Sequence, residues 1–414
     1  MKENKVVDIK NKKIEQTNED DIINKTFFNK YHCIEKIGEG SFGCIYKAEY
    51  NGEYYALKFE KIEKSQNLLE NEAIMMNYLK GSNIPYVKFY GSTTNYNILV
   101  MQLLGKNLET LFEEKKPFSL KTVSMLGYQI VSILENIHNR HILHRDIKPD
   151  NFVMGINSSS QYVYLLDFGL AKKYRSSRTL KQIPLINRNK VVGTTRYLSI
   201  NALKGFEHSR RDDLEAAGYV LIYLIKGHLP WQGITSKDKV DRYRKLLKRK
   251  IEITPKELCE GLPEEFEKYV SYTRGLDYYE EPDYDMLKGL FNSMMNKANY
   301  IFDYIYDWTT PKESLLRRVE TYKSDIESNI NKKSTFHTYK SIGENEDIIS
   351  FEASKKNLVS KININENVNV YNIKNNKKFN EDEEAIIISK RKDYLNSINI
   401  DEDEVCCTSG CILF

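Results

Sequence analysis

From Tyr31 to about Trp308 the apolar and polar positions fall into periodic patterns, and outside those bounds the patterns fade. In CIYKAEYNGEYYALKFE, residues 44–60, apolar and polar residues alternate on both sides of Asn51-Gly52. A period of two marks strands, and Asn-Gly accepts positive φ at both turn positions, so this stretch predicts a β-hairpin. In SLKTVSMLGYQIVSILENI, residues 119–137, Val123, Leu126, Ile130, Leu134 and Ile137 recur three or four apart, the spacing of one buried helical face. Strands come first and helices later. The order predicts an α+β chain with a small β-rich lobe and a larger helical one.

The flanks read differently. Residues 1–28 are polar and rich in Asn and Lys, and predict an unstructured leader. Beyond Pro311, stretches such as KSDIESNINKK and INENVNVYNIKNNKKFNEDEE are poor in Leu and Phe. The expected division is therefore a leader at 1–28, a folded domain at 29–310, a flexible tail at 311–405 and a terminal motif at 406–414. Some Ile and Val in the tail leave room for a short binding helix or strand. No repeat of solenoid period is visible.

Composition narrows the class. The 414 residues are 41% hydrophobic and 29% charged, enough for a large core with a soluble surface, and the net charge of +4 points to no nucleic-acid partner. Six cysteines without regular spacing form neither a disulfide framework nor CxxC zinc pairs. The first 21 residues hold no apolar core for a secretory signal. The longest apolar run, AAGYVLIYLI at 216–225, is about half the length of a membrane-spanning helix. A reducing, cytoplasmic setting is expected.

Four ordered motifs carry chemistry. Gly38-x-Gly40-x-x-Gly43 precedes a strand rather than a helix, which fits a flap whose backbone N–H groups close over nucleotide phosphates. A plain tight turn would use the same glycines. Lys58 stands on the second hairpin strand, and Glu72, on the next helical segment, can hold its ammonium. In HILHRDIKPDNFVMG, Asp146, Lys148 and Asn151 put a carboxylate, a cation and an amide oxygen on one loop. Phosphoryl transfer asks for those three: a base for the attacking hydroxyl, a charge near the γ-phosphate and an oxygen ligand for Mg²⁺. Asp167-Phe168-Gly169 follows a short apolar strand, and Asp167 can carry the metal. Capped turns and buried strands would explain any one of these residues, but not all four motifs in this order.

The set resembles the eukaryotic protein kinase fold over residues 31–308, and Lys148 is in the serine/threonine pattern. HRDIKPDNFVMG, DFGLAKKYR, SRRDDLE and LPWQG are similar to the casein kinase 1 family, as is Ser199-Ile200-Asn201 where other kinases have Ala-Pro-Glu. The resemblance implies a kinase using ATP and Mg²⁺. It implies that Ile37 to Ile45 cover the nucleotide, that Ala56 packs on adenine, and that Lys58, paired with Glu72, contacts the α- and β-phosphates. It makes Met101 the gatekeeper and sets Leu104 beside adenine. Asp146 becomes the catalytic base, Lys148 steadies the γ-phosphate, Asn151 and Asp167 hold the metal, and Asp213 anchors the catalytic loop. Enzymes of this family favour Ser or Thr three residues after a phosphorylated or acidic side chain, and Arg196 and Arg242 match two positions that read that anion. A solvated basic helix face is the plainer reading of the run around Arg242. Two departures are Gln102, where the family has Glu, and Leu185-Ile186 in the activation segment. The competing class is a non-catalytic scaffold, which a lost Lys58, Asp146 or Asp167 would signal; all three are present. A small-molecule kinase is disfavoured by the peptide-facing stretch around Arg196 and by SRRDDLE.

Half of the cysteines lie in CCTSGCILF, residues 406–414. Cys411-Ile412-Leu413-Phe414 has the form of a prenylation site leaning to geranylgeranyl. One lipid binds membranes only marginally, and the acidic DEDEV before it repels an anionic leaflet. The second signal is therefore expected to be palmitoylation at Cys406 or Cys407. The expectation is a kinase on the cytoplasmic face of a membrane, the plasma membrane foremost, and in the cytoplasm.

Overall fold

The computed structural model describes residues 22–314 and Arg317, apart from 41–42, 65–67, 82 and 177. Cys406, Cys407 and Cys411, and the tail beyond Arg317, lie outside the described residues.

The first lobe is a six-stranded antiparallel sheet. Its strands are β1 (Thr26–Phe27), β2 (Tyr31–Gly40), β3 (Gly43–Tyr50), β4 (Glu53–Lys61), β5 (Val87–Ser92) and β6 (Tyr96–Gln102), in the order β1-β2-β3-β4-β6-β5. The Asn51-Gly52 turn has φ of 53° and 78°, the doubly positive conformation its sequence asks for. Strand alternation then sorts the sheet into two faces. Tyr55, Leu57 and Phe59 of β4 join Ile98 and Val100 of β6 and Tyr46 of β3 in one apolar cluster. Ala56 of β4 and Leu99 and Met101 of β6 face the other way and belong to the main core, with helix α1 (Leu68–Tyr78) packed there through Leu69, Ala73 and Met76.

This lobe corrects the expected leader, because the ordered chain begins before residue 29. Ile22 is buried, β1 pairs with Tyr31 and His32, and the Phe27 ring meets Phe59 edge-on at 4.9 Å. Three apolar anchors, Ile22, Phe27 and Phe28, outweigh the polar composition around them by covering the open face of the sheet.

The second lobe is mainly helical. It contains α2 (Leu108–Lys115), α3 (Leu120–Asn139), α4 (Ile200–Leu203), α5 (Arg210–Lys226), α6 (Lys239–Glu252), α7 (Pro255–Leu258), α8 (Glu264–Gly275) and α9 (Tyr284–Lys297). Short strands β7 (Ile142–Leu143), β8 (Phe152–Met154), β9 (Val163–Leu165) and β10 (Lys172–Lys173) pair as β7 with β10 and β8 with β9. Ser119 caps α3 by accepting from the Thr122 N–H. Val123, Leu126, Ile130, Leu134 and Ile137 are all buried as their spacing predicts. So are Met125, Val131 and Ile133, because α3 lies inside the lobe with neighbours on more than one side, including α5 and α9. The apolar run 216–225 is the centre of α5, a core helix, and no helix among the described residues is long and apolar enough to cross a membrane. Packing also continues past residue 310, since Arg317 is mostly buried over the Tyr306 ring.

Candidate active site

The cleft is built on pairs of short hydrogen-bonded elements. At the flap, Gly40 of β2 faces Gly43 of β3. Gly43 has φ of 152°, and a Cβ there would stand 1.7 Å from the Phe59 carbonyl oxygen, so only glycine fits. Gly38 is different: a Cβ there would meet only the Ile45 side chain, at 3.7 Å. Ile37 is exposed at the flap and Ile45 is half-buried opposite Lys58. Ala56 and Met101 are cross-strand partners, both buried, and Leu104 follows β6, half-buried.

A lysine at mid-strand usually faces water, yet Lys58 is only 6% exposed. Its Nζ donates to Glu72 Oε2 at 2.7 Å and reaches Asp167 Oδ1 at 3.5 Å. Burial works against the ammonium, but Glu72 and Asp167 outweigh it and hold Lys58 above its ordinary pKa. Glu72 is pushed up to about 7, first by burial and then by Asp167 and Glu60, with Lys58 opposing. Burial also works against ionised Asp167, yet Lys58, Lys148 and His144 keep its carboxyl below the usual carboxylate range.

The loop that carries Asp146 follows β7. Asp146 Oδ1 accepts from the Thr194 N–H at 2.8 Å and from Thr194 Oγ1 at 2.7 Å, while Lys148 Nζ lies 3.0 Å from Oδ2. Asn151 Nδ2 donates to the Asp146 carbonyl at 2.8 Å, which turns the amide oxygen into the atom left for a cation. Asp167 has φ of 63°, a left-handed conformation costly for a non-glycine residue and held here by its surroundings. The neighbouring Phe168 ring is buried edge-on to His144 at 5.0 Å.

Asp213 fixes this loop from α5. Its carboxylate accepts the N–H groups of His144 at 2.8 Å and Arg145 at 2.9 Å, and lies 3.0 Å from His138 Nε2. Burial lowers the His138 pKa, with Asp213 opposing; Nε2 faces the acceptor oxygen of Asp213, and Nδ1 lies 2.7 Å from the Tyr284 hydroxyl. Sequence reasoning found Asp213 but missed Thr194, His138 and Tyr284. Thr194 stands in the GTTRY stretch that was read only for its arginine. His138 and Tyr284 carry no local signal, because a fold contact 146 residues apart joins them.

One carboxylate, Asp167, and one amide oxygen, Asn151, suit Mg²⁺, which takes one or two protein ligands and completes its shell with phosphate oxygens and water. Among the described residues no three His, Cys, Asp or Glu side chains form a cage for any metal.

Arg196 and Arg242 come from different elements but line one pocket of about 140 Å³, together with Thr195, Trp231 and Leu246. The Arg196 guanidinium lies over the rings of Tyr197 and Tyr223, at 5.7 and 5.9 Å, and Trp231 Nε1 donates to its carbonyl at 2.8 Å. Arg242 is exposed near the start of α6. Leu185 and Ile186, the departure in the activation segment, are exposed.

A protein-family model described as protein kinase domain matches residues 31–297.

Proposed function

The chain belongs to the protein kinase family, and from that premise we propose that it is a serine/threonine kinase of the casein kinase 1 type, acting on protein hydroxyls that follow a phosphorylated or acidic side chain. The observation that carries the substrate class is the meeting of Arg196 and Arg242 at one pocket. Two guanidiniums are suited to grip a phosphate, each through a fork of N–H donors.

In the reaction, the substrate hydroxyl oxygen attacks the γ-phosphorus of ATP, the bond to the bridging oxygen breaks, and ADP leaves with that electron pair. Asp146 orients the hydroxyl and takes its proton, with the carboxylate held in place by the two bonds from Thr194. Lys148, 3.0 Å from the same carboxylate, is placed to offset charge on the transferring phosphoryl group. Lys58, held by Glu72, grips the α- and β-phosphates. Mg²⁺ held by Asn151 and Asp167 would neutralise charge on the phosphate oxygens.

The test compares wild type with Asp146→Asn on a peptide carrying phosphoserine three residues before its target serine. Loss of transfer in the variant supports Asp146 as the base and undiminished activity overturns that assignment, whereas a wild type that transfers nothing would leave the fold as a binding scaffold. Anchoring through a prenyl group on Cys411 and an acyl group on Cys406 or Cys407 is a separate proposal, motivated by CCTSGCILF. The mass of the C-terminal peptide from native cells decides it, since an unmodified peptide ends that proposal.

A further inference from the structure

The pocket between Arg196 and Arg242 is tied together by a residue that does not line it. Lys250 lies about two helical turns beyond Arg242 on α6, and it is fully buried. Its ammonium sits between Tyr219 and Trp231, 4.7 Å from each ring centre. It donates to the Leu198 carbonyl and, at 3.4 Å, to that of Thr195. Trp231 donates to the carbonyl between them in the chain, that of Arg196. The backbone on both sides of Arg196 is thus bonded to the helix that carries Arg242. Burial lowers the Lys250 pKa, Glu215 opposes that and Arg274 reinforces it. A leucine or methionine would fill the volume without the cost of burying an ammonium, so packing alone does not account for lysine here.

We propose that Lys250, acting with Trp231 through the backbone of residues 195–198, sets the spacing between Arg196 and Arg242 and thereby selects phosphorylated over merely acidic substrates. This is a positioning role, and it rests on reading the pocket as the substrate's anion site. A phosphate presents three oxygens that two guanidiniums at a fixed spacing engage together, whereas a carboxylate's two oxygens are satisfied by one fork. If the spacing relaxes, each arginine still meets an anion, but the joint grip on a tetrahedral one is lost.

The experiment measures kcat and KM on two peptides that differ only three residues before the target serine, one with phosphoserine and one with Asp. Wild type is compared with Lys250→Met, which keeps length and loses both hydrogen bonds to the segment, and with Trp231→Phe, which keeps a ring and loses one. The phosphoserine-to-Asp ratio of kcat/KM is expected to fall about tenfold in Lys250→Met and about threefold in Trp231→Phe, through KM for the phosphopeptide. Melting curves show which variants fold, and if Lys250→Met does not, Trp231→Phe decides. Folded variants with the wild-type ratio, or an equal loss on both peptides, overturn the role of Lys250 and leave the pocket's assignment standing. A wild-type enzyme without preference for the phosphopeptide overturns both.

Discussion

The cleft around Asp146 and the pocket at Arg196 are both proposed to meet phosphate, but they handle their own charges in opposite ways. In the cleft, charges answer one another: Lys58 is held by Glu72 and Asp167, Lys148 by Asp146, and Asp213 by two backbone N–H groups and His138. In the pocket, among the described residues, neither Arg196 nor Arg242 is in an ion pair. Arg196 rests on two aromatic rings instead. Paired charges fix geometry before the ligand comes, which suits chemistry that tolerates little displacement. Unpaired charges keep their attraction for the ligand, which suits recognition. One site is organised by its own ions, and under the proposed function the other takes its counter-ion from the substrate.

That contrast can be broken in four places. The largest effect is expected from Asp146→Asn, which keeps shape and removes the proposed base, so kcat should fall by about 10²–10⁴ with little change in melting temperature. A small loss of kcat would mean that Asp146 only positions the substrate. Lys58→Met comes next. Taking away one member of a buried ion pair costs about 3–5 kcal/mol, and calorimetry should find a destabilised domain that also binds ATP poorly. A stable Lys58→Met protein would show that Glu72 accepts a proton at no cost.

In the pocket the same kind of deletion should act on substrate choice rather than on the fold. Arg196→Ala or Arg242→Ala removes a charge-assisted bond worth about 1.5–3 kcal/mol, so the kcat/KM advantage of a phosphorylated over an unphosphorylated peptide should drop about ten- to a hundredfold. Melting temperature should hardly move, and a large drop in it would contradict the view of these arginines as unpaired.

The smallest effect is in pH. Glu72 has its folded pKa raised from an ordinary 4.5 to about 7, so the stability it contributes is present below about 4.5 and is lost as pH rises through about 7. Glu72→Gln cannot ionise. Melting curves of the two proteins should therefore differ by an amount that changes between pH 4.5 and 7 and is constant above it. A difference independent of pH would place Glu72 as ionised throughout, with Lys58 dominating.

Much of this was legible along the chain. The hairpin around Asn51-Gly52, the helix containing Val123 to Ile137 and the motifs at Gly38, Asp146 and Asp167 are local, and each is written in adjacent or periodic residues. The start of the ordered region was misread because composition averages over a window, whereas Ile22, Phe27 and Phe28 act one by one on a sheet face that the window does not contain. Thr194, His138 and Tyr284 escaped notice for a related reason: ordinary residue types become positioning groups only when the fold brings them to Asp146 and Asp213.

The sequence by itself determined the kinase family, since Asp146, Lys148, Asn151, Lys58 and Asp167 can be recognised by their spacing on short loops and strands. It also determined the two-lobed order of strands and helices, because hydrophobic periodicity is a local property. Only the tertiary structure decided that Lys58 is buried with its counter-ions, that Arg196 and Arg242 share one pocket, and that Lys250 runs through the interior to bond the backbone on both sides of Arg196. Burial and mutual distance depend on contacts far apart in the chain, and those are fixed when α6 packs against the segment around residues 195–198.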